Sequence, residues 1–215
     1  MWPTKKKLLS IKVDVKNRRN EIVKQISLNT LEEVQVEKIA KVVKWQQSNA
    51  RVGTHNTKDV SELAYSTRKL RKQKGGGCAR FRNKGAVQFR GGATIFGPDG
   101  RLYDYKINKK ERQLGLQHAL SLKIQKKEFF IIENLQFENS TVKEFFHFKK
   151  IHNIDSNSVL LIDNEKNQMV LKAIGNIHEA NFLPIIGINV LSVIQNKFVI
   201  CTEKALTVLQ ERGIL

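Results

Sequence analysis

The chain has 215 residues, 38 of them Lys or Arg and 20 Asp or Glu, giving a formal net charge of +18 and an isoelectric point near 10.0. Hydrophobic residues make up 40%, enough for a core outside the most basic segment, and the length fits one domain plus an extension or two small domains. A positive excess of this size points to phosphate as the partner, in binding that weakens steeply as salt rises.

The first seven residues carry three consecutive lysines, Lys5, Lys6 and Lys7. They read as a solvated arm, because the segment has neither the apolar stretch of a secretory signal nor the Arg- and Ser-rich pattern of a transit peptide. Leu9, Ile11, Val13 and Val15 then alternate with Ser10, Lys12, Asp14 and Lys16. Period two predicts a half-buried strand. Asn17 to Asn20 read as a turn, and 21–26 as a return strand. Thr30-Leu31-Glu32-Glu33 has capping-box form and predicts a helix to about Trp45, with Val36, Ile39, Ala40 and Val43 on its apolar face.

From about Ser48 to Pro98 no helical or strand period is sustained. That is too long for an ordinary structureless loop inside a compact domain, so the segment is either a functional extension or disordered until bound. The turn signal Gly97-Pro98-Asp99-Gly100 closes it. Regular structure then resumes. Asn108 opens a helix through Ser121, with Leu116, Leu120 and Ile124 on one stripe. Apolar runs at Phe129–Ile132 and Val159–Ile162 read as buried strands, each followed by a carboxylate, Glu133 and Asp163. A capping box at Thr141–Glu144 predicts a helix carrying Phe145, Phe148 and Ile151. Short helices over 166–174 and 187–194, a strand near 181–183, a last strand at Phe198–Ile200 and a helix capped by Thr202 complete the chain.

Short apolar strands alternating with amphipathic helices imply crossover units. The fold class is therefore α/β: a mostly parallel sheet flanked by helices, Rossmann-like in topology but without a nucleotide site, interrupted by a long extended basic loop. The expected organisation is a first part of the globular body at 1–47, the extended loop at 48–98, and the rest of the body at 99–215.

Enzymatic chemistry finds little support. Gly75-Gly76-Gly77-Cys78-Ala79-Arg80 lacks the Lys and hydroxyl of a phosphate loop, and Arg80 stands where a dinucleotide fingerprint needs glycine. No nucleotide cofactor is expected. Cys78 and Cys201 are far apart and read as free thiols; with five scattered histidines, no metal site is expected. No apolar run reaches the roughly 18 residues that span a bilayer, and a Gly-rich basic segment is a poor amphipathic helix, so no membrane partner is expected. Glu133 and Asp163 stand where open sheets place ligands, but carboxylates after strands usually cap the next turn.

Between Glu62 and Asp99 there is no acidic residue, against nine basic ones: Arg68, Lys69, Arg71, Lys72, Lys74, Arg80, Arg82, Lys84 and Arg90. Such a segment repels itself, buries no core of its own, and orders when a polyanion neutralises it. Arginines fork two donors onto phosphate oxygens, and lysines act as point charges. Glycines, among them Gly75, Gly76 and Gly77, let the backbone approach a crowded partner and offer amides to phosphate. Phe81 and Phe89 stand among these charges. They either stack on unpaired bases, or wedge into a groove or pack on the body.

Three blocks in order carry a resemblance: 50–58 (ARVGTHNTK), 71–80 (RKQKGGGCAR) and 88–98 (QFRGGATIFGP), followed by Lys106-Ile107-Asn108-Lys109-Lys110 and a helix. The chain resembles the large-subunit ribosomal proteins of universal family four in their bacterial form, over nearly its whole length. It departs from the family pattern at Lys69-Leu70 (Pro-Trp in the family), Gly76 (threonine), Cys78 (arginine) and Phe89 (tryptophan). The resemblance implies a structural constituent of the large ribosomal subunit. It would bind large-subunit rRNA, support subunit assembly, contact neighbouring ribosomal proteins and line the peptide exit tunnel with its loop tip, with no small-molecule substrate. By position it places 71–80 near the tip with Lys74 and Gly75 at the tunnel wall, Arg51, Thr54, Lys58 and Arg90 along the two limbs, and Lys109, Lys110 and Arg112 on the body's rRNA-facing side. The alternatives are an RNA-acting enzyme with a basic substrate-holding arm, or a regulator that binds a transcript. The expected location is a bacterial-type ribosome in the cytoplasm. Richness in Asn, Lys and Ile fits an AT-rich genome, that of a bacterium or of an organelle.

Overall fold

Alternation at the start of the chain makes β1 (Leu8–Lys16), which turns at Asn17–Asn20 and pairs antiparallel with β2 (Ile22–Leu31). The computed structural model of the chain describes residues 8–137, 141–154 and 158–215. The lysines at 5–7, read as a solvated arm, lie outside the described residues. Asn17 closes the turn, its side-chain Oδ1 accepting from the Arg19 and Glu21 amides, and Asn20 takes the left-handed conformation that Asn tolerates.

The capping box at Thr30 does not act as one. Thr30 is fully buried inside β2, which runs five residues beyond the expected strand, and its hydroxyl donates to the Leu9 carbonyl. The chain leaving β2 is held by α2 (Lys109–Gln125) instead: the Leu31 amide donates to Ser121 Oγ, and Gln125 donates to the Leu31 carbonyl. Helix α1 (Val36–Asn49) therefore starts late, and its buried residues are Ile39 and Val42, with Val43 and Trp45 partly buried. Val36 is 66% exposed and Ala40 is exposed, so the face is rotated from the expected one. Gly115 of α2 explains this: a Cβ there would lie 2.6 Å from a Val42 methyl, so Val42 seats against bare backbone.

The remaining elements are β3 (Phe129–Ile132), α3 (Val142–Ile151), β4 (Val159–Asp163), α4 (Gln168–Ile174), β5 (Ala180–Pro184), α5 (Val190–Gln195), β6 (Phe198–Thr202) and α6 (Glu203–Glu211). Among the described residues the sheet has six strands in the order β2-β1-β3-β6-β4-β5, parallel except for the β1–β2 pair. This is the α/β body expected from the sequence, with a mostly parallel sheet flanked by helices.

The unbroken apolar runs follow from burial on both faces of the sheet. Leu160, Ile162, Val199 and Cys201 join a core that includes Leu116, Leu120 and Leu206. The alternate residues Val159, Leu161 and Ile200 join a second core that includes Phe145, Phe148 and Val170. Side chains cap the shorter helices: Asn167 accepts from the Met169 and Val170 amides, Asn189 from Ser192, and Thr202 from Ala205. Thr141 stands at the start of α3 without such a bond.

By contacts the chain divides into two units, 1–47 with 106–215, and 48–105. The second ends beyond 98, where the turn signal set the expected boundary. Pro98 is not an end: its carbonyl accepts from Thr57, and three residues on, Arg101 donates to Gly53, so the returning chain continues to pair.

Candidate nucleic-acid interface

The unit at 48–105 holds 12 of the chain's basic residues and 4 of its acidic ones. No helix or strand forms in it beyond the last residues of α1. Its order comes from backbone bonds between an outgoing and a returning limb: Arg101 N to Gly53 O at 3.3 Å, Thr57 N to Pro98 O at 3.1 Å, Thr94 N to Lys58 O at 3.1 Å and Leu70 N to Arg82 O at 3.0 Å. The result is a two-limbed arm whose tip, 71–80, lies beyond the last of these bonds.

Glycine lets the limbs meet. Gly53 sits at φ +67°, and a Cβ on it would run into the Arg101 carbonyl oxygen. At Gly85 a Cβ would lie 2.6 Å from the Tyr65 ring. Gly85 and Ala93 are buried, and the Ala93 amide donates to the Gly85 carbonyl at 3.0 Å. So the arm does bury a small nucleus of its own, contrary to the expectation from its charge. A tyrosine and two small residues are enough, because they bring no charge into it. Gly75, Gly76 and Gly77 differ: nothing stands within 4 Å of where their side chains would begin. The tip backbone is open for approach.

The proposed contact residues fall into three environments. Arg68, Lys72, Lys74, Arg80, Arg82, Lys84 and Arg90 are exposed, as are Thr54 and Lys58. None of the seven cations in 68–90 just named has a side-chain partner among the described residues. Lys69 donates to Gln73. A second group is stacked: the Arg71 guanidinium lies 5.1 Å from the Phe81 ring centre, and Phe81 and Phe89 pack on each other at 5.3 Å. The two phenylalanines thus pack within the arm itself, each half-buried. At the base of the limbs, Arg51 and Arg101 both lie on Tyr103. In the body, Lys109 and Lys110 are exposed at the start of α2, whereas Arg112 is half-buried over the Trp45 ring at 5.0 Å.

Sequence reasoning missed five positions. Arg101 and Tyr103 lie past the turn read as the loop's end. Lys41 and Lys44, exposed on α1 at three-residue spacing, were findable from the helical period, though Lys41 is ion-paired with Glu111 at 3.0 Å. Phe96, quoted only as part of a motif, is held at φ +56° with its side chain fully exposed.

Two of the candidates at the strand ends, Asp163 and Cys201, have structural surroundings. Asp163 accepts from Thr202 Oγ1 at 2.9 Å and from the Asn164 amide at 2.7 Å, the capping role expected of it. Cys201 is fully buried; burial first, and then the Asp163 charge, push its thiol far above the ordinary range. Such a thiol is no nucleophile. Among the described residues no group of three His, Cys, Asp or Glu side chains is placed to hold a metal ion, and no helix is long and apolar enough to cross a membrane.

Comparison with known proteins decides the family. A profile of the ribosomal protein L4/L1 family matches residues 26–212. The chain belongs to the ribosomal protein L4/L1 family. It is 37% identical over 207 residues to the large ribosomal subunit protein uL4 of Rickettsia bellii, covering 94% of this chain and 99% of that protein. The uL4 of Ehrlichia chaffeensis is 38% identical over 171 residues, 80% of this chain and 82% of the relative. That of Rhodospirillum rubrum is 37% identical over 180 residues, 83% and 86% respectively. The family match covers the basic arm and the sheet from within β2 onward, leaving β1 outside.

Proposed function

We propose that this chain is a structural constituent of the large ribosomal subunit that binds large-subunit rRNA through its basic arm. The observation that carries the reading is the acid-free stretch 63–98, whose nine cations stand along a two-limbed arm in a member of the ribosomal L4/L1 family. The protein is not an enzyme. Its work is charge neutralisation that lets crowded rRNA helices pack, with support of subunit assembly and contacts to neighbouring ribosomal proteins. Family membership and bacterial relatives support a bacterial-type ribosome in the cytoplasm.

Within this role we assign the open tip, Lys74 and Gly75 foremost, to the wall of the peptide exit tunnel. Arg51, Thr54, Lys58, Arg68, Lys69, Arg71, Lys72, Arg80, Arg82, Lys84 and Arg90 are assigned to backbone contacts along the limbs, and Lys109, Lys110 and Arg112 to the body. Fixing the tip costs roughly 1–2 kcal/mol per residue in backbone entropy, offset by phosphate contacts. If all nine cations of 63–98 neutralise phosphate, log K falls against log salt with a slope of about −6 to −8 from the arm alone.

The test is sedimentation of cell extract through a high-salt wash. The expected result is retention of the chain in the large subunit; its absence from that fraction refutes the role.

A further inference from the structure

The base of the arm holds an arrangement that charge alone disfavours. The Arg51 guanidinium carbon lies 3.8 Å from the centre of the Tyr103 ring, and that of Arg101 lies 4.5 Å from the same centre. The two like charges are therefore within about 8 Å of each other, close enough to repel through water. Both side chains are exposed, and neither has a hydrogen-bonded or ion-paired carboxylate among the described residues. The ring is itself held in place. Ser48 Oγ donates to the Tyr103 carbonyl, and the Tyr103 hydroxyl lies 3.4 Å from His55 Nε2. Arg101 is fixed through its backbone, its amide donating to Gly53 O at the point where only glycine fits.

We propose that Arg51 and Arg101, oriented by Tyr103, form a preorganised clamp for one backbone phosphate of RNA. The inference rests on the RNA-binding reading above and deepens it. The ring holds both guanidinium groups beside it, and their N–H donors have no carboxylate partner among the described residues; donors of this kind fork onto phosphate oxygens. An anion bound to both offsets their mutual repulsion. Gln, Lys or a flexible Arg at these positions would supply charge or hydrogen bonds without this orientation. Tyr103 is a positioning residue: it touches the arginines, and the arginines touch the phosphate.

The test uses the full-length protein and a transcript of large-subunit rRNA, titrated between about 50 and 200 mM salt. Arg51→Gln and Arg101→Gln are each expected to weaken binding about 5-fold or more. The double variant is expected to lower the salt slope by about 1, because one phosphate is shared, where two separate contacts would lower it by about 2. Tyr103→Leu keeps every charge, yet is expected to weaken binding about as much as one arginine variant; Tyr103→Phe keeps the ring and stays within about 2-fold of the parent. Arg51→Lys with Arg101→Lys guards against misfolding: the slope holds while affinity drops several-fold, because the fork is lost. The clamp is refuted if the parent binds with strong salt dependence but the double Gln variant matches it, if that variant loses a slope of about 2, or if Tyr103→Leu binds like the parent. A parent that fails to bind the transcript refutes the RNA reading itself, and the clamp with it.

Discussion

The body and the arm hold their shapes by different means. In the body, two apolar cores lie against opposite faces of one sheet, and residues such as Phe145, Leu120 and Ile162 are almost wholly removed from water. In the arm, the described order comes from a few bonds between limbs, a tyrosine on a glycine, and rings that carry guanidinium groups. Hydrophobic burial fixes the body whatever surrounds it. The arm has too little apolar surface for that, and its charge calls for an anionic partner to complete it. The comparison shows that one chain can place its folding energy and its binding energy in separate segments.

The strongest way to break this comparison is to remove the arm. Replacing 54–98 by a short Gly-Ser linker is expected to weaken rRNA binding by about 10⁴-fold and flatten its salt dependence, while thermal unfolding of the body stays nearly unchanged. A body that fails to fold without the arm would refute the separation. The converse cut is Phe145→Ala, fully buried in the second core. It is expected to cost about 3–5 kcal/mol in urea unfolding while the salt slope of rRNA binding in the still-folded protein stays the same.

A third test uses pH. His152 is buried, its Nε2 has no hydrogen-bond partner, and burial first and then the nearby Lys16 charge lower its pKa from 6.5 to about 4. The folded ring stays neutral between those values, while the unfolded chain takes up a proton. Stability therefore falls as pH drops from 6.5 towards 4, by about 2–3 kcal/mol at pH 4.5, and nothing is lost above 6.5. Urea midpoints of the parent and of His152→Phe at pH 7 and 4.5 read the difference, which is expected to vanish if the ring is already protonated in the fold. The gentlest test stays within the arm. Gly85→Ala would press on Tyr65 and is expected to cost about 1–3 kcal/mol of local order, seen as faster amide exchange at Ala93. Gly76→Ala, with open space around it, is expected to stay within about 0.5 kcal/mol.

Much of the body was legible from periodicity. Phe129–Ile132 and Val159–Ile162 could be read as buried strands, because residues buried on both faces leave an unbroken apolar run. Thr202 and the stripe Leu116, Leu120 and Ile124 were equally plain, since a cap and a helical face are local properties. Thr30 misled for the same reason. Its capping box is locally valid, but the Leu9 carbonyl and the α2 side chains Ser121 and Gln125 offer those groups better partners from far along the chain. In the arm, the exposed cations could be counted from the sequence, but their pairing with rings could not.

Charge and its segregation were thus settled by the sequence alone: the acid-free stretch carries nine cations and no carboxylate of its own, in a chain whose 38 basic residues outnumber its 20 acidic ones, and such a stretch calls for an anionic partner. The alternation of strand and helix was settled there too, since side-chain period is set by backbone geometry. Only the tertiary structure decided that Val42 rather than Val36 faces the core, that Phe81 and Phe89 pack on each other, and that Arg51 and Arg101, fifty residues apart, share one tyrosine. Those contacts depend on which distant backbones can approach, and a glycine such as Gly53 or Gly115 permits an approach without naming the partner.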